Sequence, residues 1–170
     1  FDYSSMFAVP GAKRPALLIA ALAPRMLRIA GELADGTILW FADETALAEH
    51  VVPRITAAAE AAGRPRPRIV SAMPTAVCDE AEGRAQAAKS FAAYEQIPTY
   101  RRILDRGASG SPSDVALVGS ADQIRDRLLR WRDLGVSDFV AAPFPVGEDR
   151  DDSLRRTRDA LAELAPALAS

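Results

Sequence analysis

The chain has 170 residues, 49% of them hydrophobic, and a formal net charge of −2. That length and apolar content suffice to bury a core and exclude a disordered chain, and the slight negative charge gives no electrostatic reason to expect nucleic acid or an anionic membrane as partner. Cys78 is the only cysteine and His50 the only histidine, so no disulfide framework, zinc cluster or Cys–His catalytic pair can be built within the chain; no metal is expected, and the count fits a reducing cytoplasm.

Phe1 to Arg14 reads as an irregular connector around Pro10-Gly11, and a first residue other than Met points to a start inside a longer reading frame. No apolar run approaches the ~20 residues of a membrane span, and no signal-peptide pattern opens the chain. Leu17 to Ala21 is apolar without interruption and too short for a buried helix, which marks a parallel strand covered on both faces. Small residues follow, and Pro24 suits the first turn of a helix, where a missing N–H costs nothing. Met26, Leu27, Ile29, Ala30 and Leu33 then recur at helical spacing, with Gly31 tolerated inside for close packing. Asp35-Gly36 turns the chain into a second strand, Thr37 to Phe41, and the pair with its helix makes a right-handed βαβ unit. A strand end of small residues facing a fresh helix N-terminus leaves backbone N–H groups free to meet a phosphate, although any parallel α/β protein uses small residues at such turns.

Asp43 is placed to cap a helix from Ala46 to Ala62, which Pro53 divides into a short piece through about His50 and a second piece. His50 reads as a packing or surface residue, because no carboxylate or nucleophile is placed to work with it. Arg64-Pro65-Arg66-Pro67-Arg68 reads as a solvated loop rather than an anion cluster, and leads into a third strand, Ile69 to Val77. Helices are expected over Glu80 to Tyr94 and Pro98 to Arg106, then a flexible stretch from Gly107 to Pro112. Ser120 with Gln123 forms a capping box before a helix whose Trp131 is a packing residue rather than a ring-stacking one. Val136 to Ala142 is the fourth strand, and a last helix runs from about Asp152 to Leu164.

The segment IAALAPRMLRIAGELADGTILW, Ile19 to Trp40, resembles the signature of the luciferase-like monooxygenase superfamily, and in particular of its deazaflavin (coenzyme F420)-dependent oxidoreductase branch. The blocks IPTYRRIL and ALVG, at Ile97 to Leu104 and Ala116 to Gly119, are similar to family blocks as well. The resemblance implies an α/β fold, the C-terminal half of a (β/α)8 TIM barrel. On that resemblance residues 1–170 are expected to form a single partial domain of units five to eight, with four parallel strands and their helices starting at Leu17, Thr37, Ile69 and Phe139. A complete barrel needs about 250 residues. It further implies that Ala20, Ala21, Leu22 and Ala23 line the cofactor phosphate, with Pro24 and Arg25 opening the helix; Ala23 stands where the family usually has glycine. Trp40 and Phe41, at the end of the sixth barrel strand, become candidates for an apolar substrate wall or a cap on the barrel core.

The chemistry implied is hydride transfer between coenzyme F420 and a small organic substrate, the cofactor supplying the reaction and the protein the binding and orientation. FMN is the alternative cofactor, which would make the protein a monooxygenase, but an FMN site commonly adds polar side chains around the phosphate and Ala20 to Ala23 offers none. A third reading is a non-catalytic remnant that needs a partner. No catalytic residue is named, because in the family such groups come largely from the first half of the barrel. The outer strands of a half barrel expose unpaired edges, so a homo-oligomer, or association with the missing half-barrel, is expected.

Overall fold

The computed structural model describes residue 11 and residues 13–168, so all but Gly11, Lys13 and Arg14 of the expected N-terminal connector lies outside the described residues. The elements follow in order: β1 (Leu18–Ala20), α1 (Pro24–Leu33), β2 (Gly36–Trp40), α2 (Glu44–Ala46), a π-helical turn (Leu47–Val51), α3 (Val52–Ala61), β3 (Arg68–Val77), α4 (Glu80–Phe91), a 3-10 turn (Ala92–Gln96), α5 (Pro98–Leu104), α6 (Pro112–Val115), β4 (Leu117–Gly119), α7 (Ala121–Leu134), β5 (Asp138–Pro143) and α8 (Arg150–Leu168). Every strand pairing is parallel: β1 with β2, β2 with β3, and β3 with both β4 and β5. Four strands taken in sequence, β1, β2, β3 and β5, with helices between them, are half of a (β/α)8 arrangement.

A fifth strand, β4, was not expected. Thr75 is partnered by Leu117 of β4 and also by Pro143 of β5. One residue has only two edges, so β4 continues the edge of β3 along which β2 runs. At three residues it is too short to announce itself by pattern.

One face of the sheet carries Ile19, Thr37 and Ile69 in register, and then Leu39, Ser71 and Phe139, beneath the helices. The core on that side gathers Leu27, Ala30, Leu39, Leu47, Val51, Ile55, Met73 and Trp131, all essentially buried. Trp131 packs edge-on against Phe139, 5.8 Å between ring centres, as a core residue. The other face carries Ala20, Ile38 and Val70, then Trp40, Ala72 and Val140. On it Ile38 is 38% and Val140 44% exposed, and among the described residues the outer edges of β1 and β5 pair with nothing.

Pro53 does not divide the helix. From Glu44 to Ala61 the chain stays helical, through a π turn at Leu47–Val51. Proline offers no N–H to the carbonyl four residues back, and a wider turn relieves its ring. The Arg54 guanidinium folds back on this turn, donating from Nη1 to Glu49 O (3.2 Å), the carbonyl opposite Pro53, and to His50 O (3.1 Å). The arginines of the 64–68 loop serve structure at the opposite end of the sheet from the strand C-termini. Arg64 donates to Ala34 O and Asp35 Oδ1, and Arg68 makes a two-pronged ion pair with Asp138.

The expected flexible stretch is anchored instead. The buried Asp43 caps α2 with Oδ1, accepting from the Ala46 N–H (2.9 Å), and Oδ2 accepts from the N–H of Ala108 (2.8 Å), the N–H of Ser109 (3.1 Å) and the Ser109 hydroxyl (2.9 Å). Ser111 then caps α6 through the Asp114 N–H. No described helix is long and apolar enough to cross a membrane.

Candidate functional site

The C-terminal ends of β1 and β2, with Ala72 midway along β3, border a cleft of about 300 Å³. Ala20, Ala21, Leu22 and Trp40 line it, together with Ala72, Thr99 and Tyr100. Beside it, a smaller cavity of about 30 Å³ is lined by Leu22, Ala23, Pro24, Thr99, Arg102 and Arg106. The two share Leu22 and Thr99, so they form one surface that runs from an apolar recess to a basic corner.

The basic corner stands at the N-terminus of α1. Its capping residue is Ala23, which makes no side-chain cap, and its first turn holds no acidic residue. An uncapped helix start carries partial positive charge, and Arg102 and Arg106 add two full charges with no carboxylate partner among the described residues. Arg101, between them in chain order, is by contrast paired with Asp105. Positive groups converging without a counter-charge favour a nearby anion. Ala23 lies at φ −81°, ψ 149°, ordinary extended backbone, so the methyl group in place of glycine imposes no strain there. Arg25 is exposed on the first turn of α1 and lines neither cavity.

Trp40 and Phe41 part company. Trp40 lines the cleft, and its indole Nε1 is buried without a partner among the described residues. Phe41 is wholly buried and does not line the cleft. It packs against Trp40 (4.7 Å between ring centres), Tyr94 (4.9 Å) and Tyr100 (6.0 Å) and so backs the wall instead of forming it. Phe41 also holds φ +62°, the one left-handed non-glycine among the described residues. That conformation costs about 1–2 kcal/mol, offset by burying an aromatic ring within a cluster of four others.

Thr99, Tyr100, Arg102 and Arg106 were not singled out from the sequence, although the first three sit within the IPTYRRIL block. Of the packing and surface roles open to His50 the structure shows packing, and the side chain does more. It is 3% exposed, and its Nε2 lies 2.8 Å from the carbonyl of Leu22, in the turn between β1 and α1. Burial holds the imidazole below its ordinary proton affinity; the Leu22 carbonyl opposes that, and the charges of Arg106 and Arg54 reinforce it. A histidine kept neutral in the fold while its unfolded counterpart binds a proton near pH 6.5 contributes stability above that pH and loses it as pH falls. The unfolding free energy from urea denaturation should therefore drop between pH 7.5 and 5.5, by at most about 1.4 kcal/mol per pH unit from this group. The drop should flatten in His50→Gln; equal slopes for the two proteins would refute the assignment. The carboxylates held below their usual range, Asp35 by the Leu17 N–H, Asp138 by Arg68 and Asp105 by Arg101, act only at lower pH.

A sequence profile of the luciferase-like monooxygenase family matches residues 2–138. Among curated proteins no sequence matches the chain. Among solved structures, an F420-dependent secondary alcohol dehydrogenase in complex with an F420–acetone adduct is similar at TM-score 0.67 and 16% identity, over 93% of this chain and 50% of that one. The oxygenating constituent of 3,6-diketocamphane monooxygenase from Pseudomonas putida, in complex with FMN, is similar at TM-score 0.66 and 20% identity, over 92% and 50%. The coenzyme F420-dependent tetrahydromethanopterin reductase from Methanopyrus kandleri follows at TM-score 0.58 and 20% identity, over 82% and 48%. The chain thus spans about half the length of these structures, and at such identities the likeness concerns the fold. With the profile covering most of the chain, the protein belongs to the luciferase-like monooxygenase family.

Proposed function

We propose that this chain is the phosphate-holding half of a deazaflavin-dependent oxidoreductase, which takes coenzyme F420 and passes a hydride between it and a small organic substrate. The observation that carries the reading is the turn from Ala20 to Pro24: small residues, an uncapped helix start and two unpaired arginines at one end of an apolar cleft. These residues fit a phosphate-bearing cofactor. Ala20, Ala21 and Ala23 present backbone with little side chain in the way, Leu22 lines both cavities between them, Arg102 and Arg106 offer counter-charge, and Arg25 adds to the positive field of the same helix end. Trp40, backed by Phe41, supplies an apolar wall for ring or substrate. The hydride chemistry belongs to the cofactor; the chain's part is to hold the phosphate, place the ring in the cleft and exclude water.

FMN is the second reading, and Thr99, Arg102 and Arg106 favour it, because they place polar side chains beside the phosphate position where the turn itself offers none. In either case a cytoplasmic enzyme is proposed. Its open inner face at Ile38 and Val140 and its unpaired edge strands are completed by the other half-barrel or by self-association.

Equilibrium fluorescence titrations with coenzyme F420 and, separately, with FMN test this. Saturable binding of F420 with no binding of FMN is the expected result. Saturation by FMN alone transfers the protein to the flavin branch, and binding of neither, with or without the complementary half-barrel, leaves the non-catalytic remnant.

A further inference from the structure

The Leu22 carbonyl and the Ala23 N–H belong to one peptide unit. In a trans peptide the two point in opposite directions, and no described bond is cis. Whatever holds the carbonyl therefore aims the N–H.

His50 holds the carbonyl. A carbonyl only accepts, so Nε2 carries the hydrogen and Nδ1 keeps a lone pair, which is buried and unpartnered. The ring reaches Leu22 from the π turn that accommodates Pro53, where Leu47, His50 and Val51 are all buried. Arg54 donates to the Glu49 and His50 carbonyls of the same turn. The Ala23 N–H has no partner among the described residues, and Ala23 lines the cavity that Arg102 and Arg106 also line. A lone donor at the start of a helix, with its partner carbonyl tied down behind it, is set to bind an anion before any anion arrives.

We propose that His50 is a positioning residue for the cofactor site: by donating to the Leu22 carbonyl from beneath the turn, it keeps the Ala23 N–H directed at the phosphate. The proposal rests on the reading that this turn holds the phosphate.

The test compares ligands that differ only in the phosphate-bearing tail. Dissociation constants are measured for coenzyme F420 against its phosphate-free deazaflavin precursor, and for FMN against riboflavin, with the wild-type protein and three variants. His50→Leu, which cannot donate, should weaken binding of the phosphate-bearing member at least ten-fold and leave the phosphate-free member within about two-fold. His50→Gln, whose amide N–H₂ can donate to the same carbonyl, should restore most of the loss. Ala23→Pro suits the observed φ of −81° and removes the N–H while leaving the His50 bond in place, so it should reproduce the phosphate-specific loss.

Should His50→Leu fail to fold, the Gln and Pro variants still decide the matter. The proposal is overturned if either His50→Leu or Ala23→Pro weakens both members of a pair equally, or weakens neither. A wild-type protein that does not prefer the phosphate-bearing member overturns the phosphate reading itself and this inference with it. A wild-type preference that survives the variants overturns this inference alone.

Discussion

Replacing Asp43 by alanine is expected to destabilise the protein by about 3–5 kcal/mol and to release the segment after α5. The carboxylate is 2% exposed and accepts three backbone N–H bonds and one hydroxyl bond. Loss of the cap on α2 alone is worth about 1 kcal/mol, and each buried N–H left unpaired adds about 1–3 kcal/mol, reduced where water can follow. Asp43→Asn is the sharper variant. Its one carbonyl oxygen can accept from Ala46 or from Ala108 and Ser109, but its N–H₂ must then face donors. It should lose about 2–3 kcal/mol although its shape is unchanged. Gly107 shows how close the approach is, since a Cβ there would stand 2.4 Å from Asp43 Oδ2. Urea denaturation measures the stability change, and amide exchange at Ala108 and Ser109 locates it. An Asn variant within 0.5 kcal/mol of wild type would mean that the loop is not held by this carboxylate.

Asp43 also marks where sequence reasoning stops. Its role as a helix cap is visible from three neighbouring residues, and the structure has it. Its second oxygen binds residues 65 and 66 positions further on, and no local pattern announces a partner at that distance. The glycines and serines of 107–111 read as a flexible tether for the same reason: composition reports what the backbone permits, and the restraint is a tertiary bond. Pro53 follows the same division. The loss of its hydrogen bond is legible, whereas the π turn and the Arg54 side chain that donates to its Glu49 and His50 carbonyls are not. The long elements were legible because each carries its own periodicity, as β3 and α7 do, whereas β4 carries three residues and pairs only because β3 extends beyond Trp40. At the site, the turn from Ala20 to Ala23 and Trp40 were marked by the family resemblance. Arg106 comes to that surface, and His50 to the underside of the turn, through helix packing that no local pattern marks, while Thr99 lies inside a family block that carried no site assignment.

Gly31→Ala sets two known effects against each other at the interface that joins the turn to His50. Helix propensity favours alanine over glycine by about 1 kcal/mol in the interior of α1. Against it, a Cβ at this position would lie 2.5 Å from the Ile55 carbonyl oxygen, 2.8 Å from the Ala58 Cβ and 3.0 Å from the Ala59 nitrogen. Two of those are backbone atoms of α3, which no side-chain rotation can move aside. The helices must separate, unpacking Leu27, Ala30, Ile55 and Ala59, and overpacking of this kind costs about 1–3 kcal/mol, more where backbone must shift. Packing wins, and a net loss of about 2 kcal/mol or more is expected in urea denaturation, with Arg28→Ala on the exposed side of α1 close to neutral. Because α1 begins at the turn and α3 follows directly from the π turn that carries His50, the same separation lengthens the bond from His50 to the Leu22 carbonyl. Gly31→Ala should therefore also weaken phosphate-bearing ligands more than phosphate-free ones, at a site it does not touch. A variant as stable as wild type would mean that α1 and α3 have room to spare, and would remove the close approach that brings His50 beneath the turn.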